Sequence, residues 1–171
     1  LTATVKSSSK QDDWCLLSVP GLRSKAIPAG KDVPSLGSTV YNLAFPLGGI
    51  VGAGEAVVGK GDVSALSGLK GDARHIQMSL PLNPGASGSP VLNESGQWVA
   101  MASHKLADIN LLVKTGQVPQ GTNFAVKAKT ILAGMESGSA QVLQEGATGT
   151  KLSLEQAAAR FSDSIYLIIA E

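Results

Sequence analysis

At 171 residues the chain can bury one ordinary core, or one core plus a short piece of another. Lys and Arg number 14 against 13 Asp and Glu, a net charge of +1, which argues against a nucleic-acid role, for which a basic face or stripe is needed. No apolar run approaches the roughly 18 residues of a membrane span, and Cys15 alone cannot form an internal disulfide. The chain opens on Leu1 with neither Met nor a leader pattern, and so reads as a piece of a longer protein.

Apolar residues make up 43% of the chain and aromatics only 4%, so the core is expected to be aliphatic, and 20 glycines point to many turns. Leu1–Lys6 and Trp14–Val19 read as strands with the polar run Ser7–Asp12 turning between them. Pro20–Leu36 is a proline-bearing connector. Thr39–Phe45 reads as the next strand. Ala53–Lys60 and Asp62–Leu66 read as a pair bent at Gly59 and Gly61, followed by a strand at Ile76–Leu80 and a glycine-bearing turn at Pro81–Pro90. Val91–Leu92 and Trp98–Ser103 flank a hairpin loop ending in Gly96. Asn123–Lys127 is a last strand, and Thr130–Met135 a short closing helix. Strands this short and this evenly spaced predict an all-β barrel or sandwich.

Composition changes after Met135. Residues 136–152 are poor in apolar side chains and read as a linker. Ser153-Leu-Glu-Gln156 then fits a capping box opening a helix over Leu154–Phe161, whose apolar face carries Leu154, Ala157, Ala158 and Phe161. Ser162–Ser164 breaks it, and Ile165–Ala170 reads as a buried strand.

The chemistry concentrates in Asn83-Pro-Gly-Ala-Ser-Gly-Ser-Pro90. A serine becomes a nucleophile when its hydroxyl is held beside a base and an oxyanion hole. Gly-x-Ser-Gly can supply that hole by turning the amides of Gly85 and Ser87 into one space. A plain Gly/Ser-rich loop is the competing reading. The nucleophile elbow of α/β hydrolases is not: Ser89 stands where it needs Gly, and Pro90 with Val91–Leu92 where it needs a helix.

Ile76-Gln-Met-Ser-Leu-Pro-Leu-Asn83-Pro-Gly-Ala-Ser87-Gly88 resembles the HtrA/Deg branch of trypsin-like serine proteases, with the consensus IQTDAAINPGNSGG, departing at Ala86 and Ser89. The hairpin Val91–Met101 and Asn123-Phe-Ala-Val126, similar to a GFAIP-type closing strand, extend the resemblance over residues 1–135. It implies a trypsin-like double β-barrel, the second barrel complete over about 39–128 and the first partial, with a short C-terminal helix and strand. Asp13-Trp-Cys-Leu-Leu-Ser-Val19 matches the D-x-A-L-L-x-V strand and so implies Asp13 as triad acid beside Ser87, with Asp12 its confusable neighbour. The family's histidine would lie upstream of Asp13, and no His precedes it here. His104 reads as a subsite or surface residue and His75 as a solvated loop residue.

By the same resemblance Ser103, His104 and Lys105 flank the substrate backbone, while Asn83 and Thr122 help line the pocket for the residue before the scissile bond. No carboxylate lies in Pro81–Asn83, Ser103–Lys105 or Thr122–Phe124, so a small or medium apolar residue is the expected preference. Neither metal-ligand spacing nor a phosphate loop is evident, so no cofactor is expected. Three functions stay open: a serine endopeptidase acting on polypeptides but inert in this piece without its histidine, a pseudoprotease that binds peptides by strand addition, and a structural β domain. Residues 153–171 resemble the opening of another such domain. Either the parent carries tandem domains, or Ile165–Ala170 completes the partial barrel of this chain or a neighbour, with the latter expected. A periplasmic or secreted location is what the resemblance alone favours.

Overall fold

The computed structural model describes residues 1–46, 54–103, 122–135 and 150–169. Its centre is the expected six-stranded barrel, formed by β3 (Thr39–Ala44), β4 (Val57–Ala65), β5 (His75–Met78), β6 (Pro90–Asn93), β7 (Trp98–Ser103) and β8 (Asn123–Lys127). They close in the order β3-β4-β5-β8-β7-β6, each neighbour antiparallel. Closure leaves no free edge, and the interior is filled by branched and small side chains such as Val40, Val63, Ile76, Met78, Val91 and Ala125. The low aromatic content is what a barrel this narrow tolerates.

One sequence expectation fails inside the barrel. Val57–Ala65 is a single nine-residue strand, not two strands bent at glycines. A Cβ on Gly61 would lie 2.3 Å from the backbone nitrogen of Leu80, so this glycine marks a close approach of two backbones. The irregularity comes later, as a bulge between Val63 and Ala65 against β5.

Ahead of the barrel, β1 (Thr4–Ser9) and β2 (Trp14–Ser18) form a two-stranded antiparallel sheet, the partial first barrel. Pairing runs out to Ser9↔Trp14, so the polar serines are strand and only residues 10–13 turn. Ladder bonds use backbone groups alone, so exposed serines join without loss. The turn is closed by Ser9 Oγ, which accepts from the Asp12 amide at 3.1 Å and donates to Asp12 Oδ2 at 3.0 Å. A two-stranded ribbon is marginal by itself. Here Trp14 is buried against Val126 and against Ile131 of α1 (Ala128–Gly134), with Met135 beside it.

The C-terminal helix forms where the capping box predicts it. In α2 (Leu154–Phe161) Ser153 Oγ accepts from the Gln156 amide at 3.1 Å and Gln156 Oε1 accepts from the Ser153 amide at 2.9 Å. Ala157 and Phe161 bury against Tyr41, Leu43 and Leu92 of the barrel wall. Leu152 is tied down on both sides: its amide donates to the Glu94 carbonyl at 2.6 Å, and its carbonyl accepts from the Tyr41 hydroxyl at 3.0 Å. Burial of a side chain like Phe161 stabilises by about 1.5–3 kcal/mol. The expected strand after the helix does not form. Residues 165–169 join no sheet of the described residues, and Ile168 and Ile169 are 66% and 77% exposed. The first-strand position of the partial barrel is therefore not filled by this segment. The expected linker lies outside the described residues except for its end at 150–152.

Candidate active site

The turn that carries Ser87 is held by its flanks. Gly85 and Gly88 take φ of +89° and +86°, left-handed values that side chains resist, and between them Ala86 is buried while Ser87 is exposed. The Ala86 amide donates to the Asn83 carbonyl at 3.0 Å, and the Gly88 amide to the Ala102 carbonyl of β7 at 2.9 Å. Behind the turn stands Asn42, buried in β3. Its Nδ2 donates to Ser89 Oγ at 2.7 Å and to the Pro90 carbonyl at 2.9 Å, while Ser89 Oγ donates to the Ala86 carbonyl at 2.5 Å. The departure from the family pattern at Ser89 thus has a physical role, a hydroxyl that relays Asn42 onto the turn bearing Ser87.

Asp13 sits at the tip of the β1–β2 hairpin with φ of +55°, a conformation Asp tolerates better than most residues. Ser103 Oγ lies 3.5 Å from its Oδ2, a long hydrogen bond. Ser103 ends β7, one residue beyond the Ala102 whose carbonyl binds the Gly88 amide, so the Asp13 side chain and the Ser87 turn each contact this strand end. Asp12 is separated from this role by its own partners. Arg74 Nη1 binds its Oδ1 at 3.0 Å, and Arg74 Nη2 binds Asp72 Oδ2 at 2.7 Å. That guanidinium holds the Asp72 carboxyl well below the usual carboxylate range and is itself raised by the pairing.

Among the described residues, two of the three stretches assigned to the substrate side chain meet directly. Ser103 pairs with Phe124, Met78 pairs with Asn123, and Asn123 Nδ2 donates to the Leu80 carbonyl at 2.9 Å. Thr122 is half-buried just ahead of β8, and Asn83 is exposed. His104 and Lys105 lie outside the described residues.

His75 is not the solvated loop residue its polar neighbours suggest. It opens β5, is buried, and places Nδ1 3.3 Å from Asp72 Oδ2 without hydrogen-bond geometry. Burial lowers its pKa, and the neighbouring Asp72 offsets this only in part. Among the described residues, no group of three or more His, Cys, Asp or Glu side chains could hold a metal, and no helix is long and apolar enough to cross a membrane.

Residues 1–101 match the family model of the trypsin-like peptidase domain, more than half of the chain. The chain belongs to the trypsin-like peptidase family. An uncharacterized protein of Sinorhizobium fredii, y4bJ, is 36% identical over 98 residues, and the match spans 57% of this chain but 15% of that protein. The fold is shared with solved proteases. A serine endoprotease from Yersinia pestis has a TM-score of 0.58 at 21% identity, covering 85% of this chain and 45% of that one. An inactive form of Rv3671c from Mycobacterium tuberculosis gives 0.59 at 22%, covering 85% and 67%. An HtrA-type protease crystallised with a decapeptide gives 0.59 at 24%, covering 76% and 37%.

Sequence reading missed Asn42, the anchor of the turn bearing Ser87, and the hold of Ser103 on Asp13. Asn42 had one signal, a lone amide within the apolar run Val40–Ala44. A buried amide needs partners, and a turn rich in carbonyls and hydroxyls supplies them.

Proposed function

We propose that this trypsin-like peptidase chain is the Ser87 and Asp13 portion of a serine endopeptidase of HtrA type, working through an acyl-enzyme. The observation that carries this reading is the end of β7, where Ser103 meets Asp13 at 3.5 Å and Ala102 holds the Gly88 amide at 2.9 Å. Ser87 Oγ attacks the scissile carbonyl, and the amides of Gly85 and Ser87 stabilise the oxyanion. An imidazole takes the proton from Ser87 and later delivers it to the leaving amine. Asp13 keeps that ring in the productive tautomer and stabilises its charged form. We assign this base to sequence upstream of Asp13, since the one histidine among the described residues, His75, is buried in β5. Ser103, His104 and Lys105 align the substrate backbone, and the stretches that carry Asn83 and Thr122 hold no carboxylate, which suits a small or medium apolar residue.

The test compares two lengths of chain. The 171-residue chain should neither cleave a casein-type substrate nor take up a fluorophosphonate, whereas a chain extended upstream through a histidine should do both. Ser87→Ala in the longer chain should abolish both readouts. A longer chain that binds peptides and stays inert would turn the reading into that of a peptide-binding pseudoprotease.

A further inference from the structure

Asp13 takes a left-handed φ of +55°, which a residue other than glycine keeps only where its flanks are fixed. One flank is Trp14, buried against Val126 and Ile131. The other is Asp12, which meets Arg74, and the roles above leave that contact unused. The Arg74 side chain forks. Its Nε and Nη2 donate to the two oxygens of Asp72 at 3.0 Å and 2.7 Å, which leaves Nη1 for the hairpin. There Nη1 donates to Asp12 Oδ1 at 3.0 Å and, at the longer distance of 3.5 Å, to the Gln11 carbonyl. A planar guanidinium can hold two carboxylates in this way, and the point charge of an ammonium cannot. Asp12 Oδ2 in turn accepts from Ser9 Oγ at 3.0 Å, which carries the contact into the body of the hairpin.

The barrel end of this strut is stiff. The Asp72 carbonyl accepts from the Gly68 amide at 2.8 Å, and the Arg74 carbonyl accepts from the Lys127 amide at 2.9 Å. Lys127 is buried, and its Nζ donates to the Leu66 and Ala73 carbonyls at 2.8 Å and 2.6 Å, closing the loop from which Asp72 and Arg74 project. The Arg74 and Asp12 side chains are 37% and 20% exposed, so water screens the pair and it adds little to stability. What it supplies is direction. We infer that Arg74 is a positioning residue: by bridging Asp72 to Asp12 it fixes the tip of the β1–β2 hairpin and so holds Asp13 at the end of β7, beside Ser103. The consequence for catalysis rests on the peptidase reading; the bridge rests on the contacts of Arg74 itself.

The full-length protein tests the two parts separately. Hydrogen exchange read by mass spectrometry follows the bridge: Arg74→Gln should speed exchange over residues 9–14 about fivefold or more, while β3 to β8 keep their protection. Turnover follows the consequence. Arg74→Gln should lower kcat about tenfold, the scale of a misplacement well under 1 Å, and leave KM within about twofold. Asp12→Asn should do the same, and the double variant should lose no more than the worse single one, because both changes cut one bridge. Arg74→Lys, which keeps the charge but meets one carboxylate at a time, should recover part of kcat. A contact that served stability alone would lower the melting temperature and leave kcat per labelled Ser87 unmoved. That outcome overturns the inference, as do additive losses in the double variant or unaltered exchange at the hairpin tip. A parent protein that is inert with every residue in place refutes the peptidase reading instead, and the exchange rates then decide for or against the bridge.

Discussion

At the scale of single residues, Asn42 and His75 show how a buried polar group differs from an exposed one. Asn42 has two acceptors and serves a turn, so its loss should be felt twice. Asn42→Ala leaves Ser89 Oγ and the Pro90 carbonyl without their donor, and should destabilise by about 1–3 kcal/mol in denaturant titration. In a catalytically complete chain the same change should also slow fluorophosphonate labelling of Ser87. His75 has a depressed pKa, so the folded state takes up a proton less readily than the unfolded chain. The stability it contributes is therefore full above the ordinary histidine pKa of about 6.5 and is lost as pH falls from there through the lower folded value. Denaturation midpoints should fall as the pH drops below about 6.5, and His75→Leu should flatten that decline. Asp72, held low by Arg74, should act only in more acid solution. Neither behaviour was legible in the sequence. Asp72-Ala-Arg74-His75 reads as a polar loop because the partner that buries His75, strand β8, lies some fifty residues downstream.

At the scale of elements, what could be read was whatever is encoded locally. Trp98–Ser103 and Asn123–Lys127 appear with the expected bounds, because short apolar runs between turn residues identify strands. The helix Leu154–Phe161 was legible from its capping box. Gly59 and Gly61 misled because glycine signals a bend and a close approach with the same letter, and only Leu80 distinguishes the two. Ile165–Ile169 misled because an apolar run announces a need for cover without naming the cover. Asp13 and Ser87 were singled out by resemblance alone, while the contact that joins Asp13 to Ser103 spans 90 residues and has no local sign. An element that packs on the barrel from outside carries the clearest stability test. Phe161→Ala, emptying a site against Tyr41, Leu43 and Leu92, should cost about 3–5 kcal/mol and lower the melting temperature while the β1–β2 hairpin keeps its packing.

At the scale of the whole molecule, the barrel is a frame on which three peripheral pieces converge: the hairpin bearing Asp13, the turn bearing Ser87 and the segment behind α2. The hairpin is attached through Trp14, the turn through Asn42 and Ala102, and the C-terminal helix through Phe161. Gly96 sits where the last of these arrives. It has φ of +71°, and a Cβ there would come within 2.8 Å of both Leu152 and the Phe161 ring. Among descendants of this gene, then, a side chain at position 96 and a large aromatic at position 161 should exclude one another. Shedding the C-terminal helix would lift the clash but not the left-handed backbone, so even a lineage without that appendage should keep Gly, Asn or Asp at position 96.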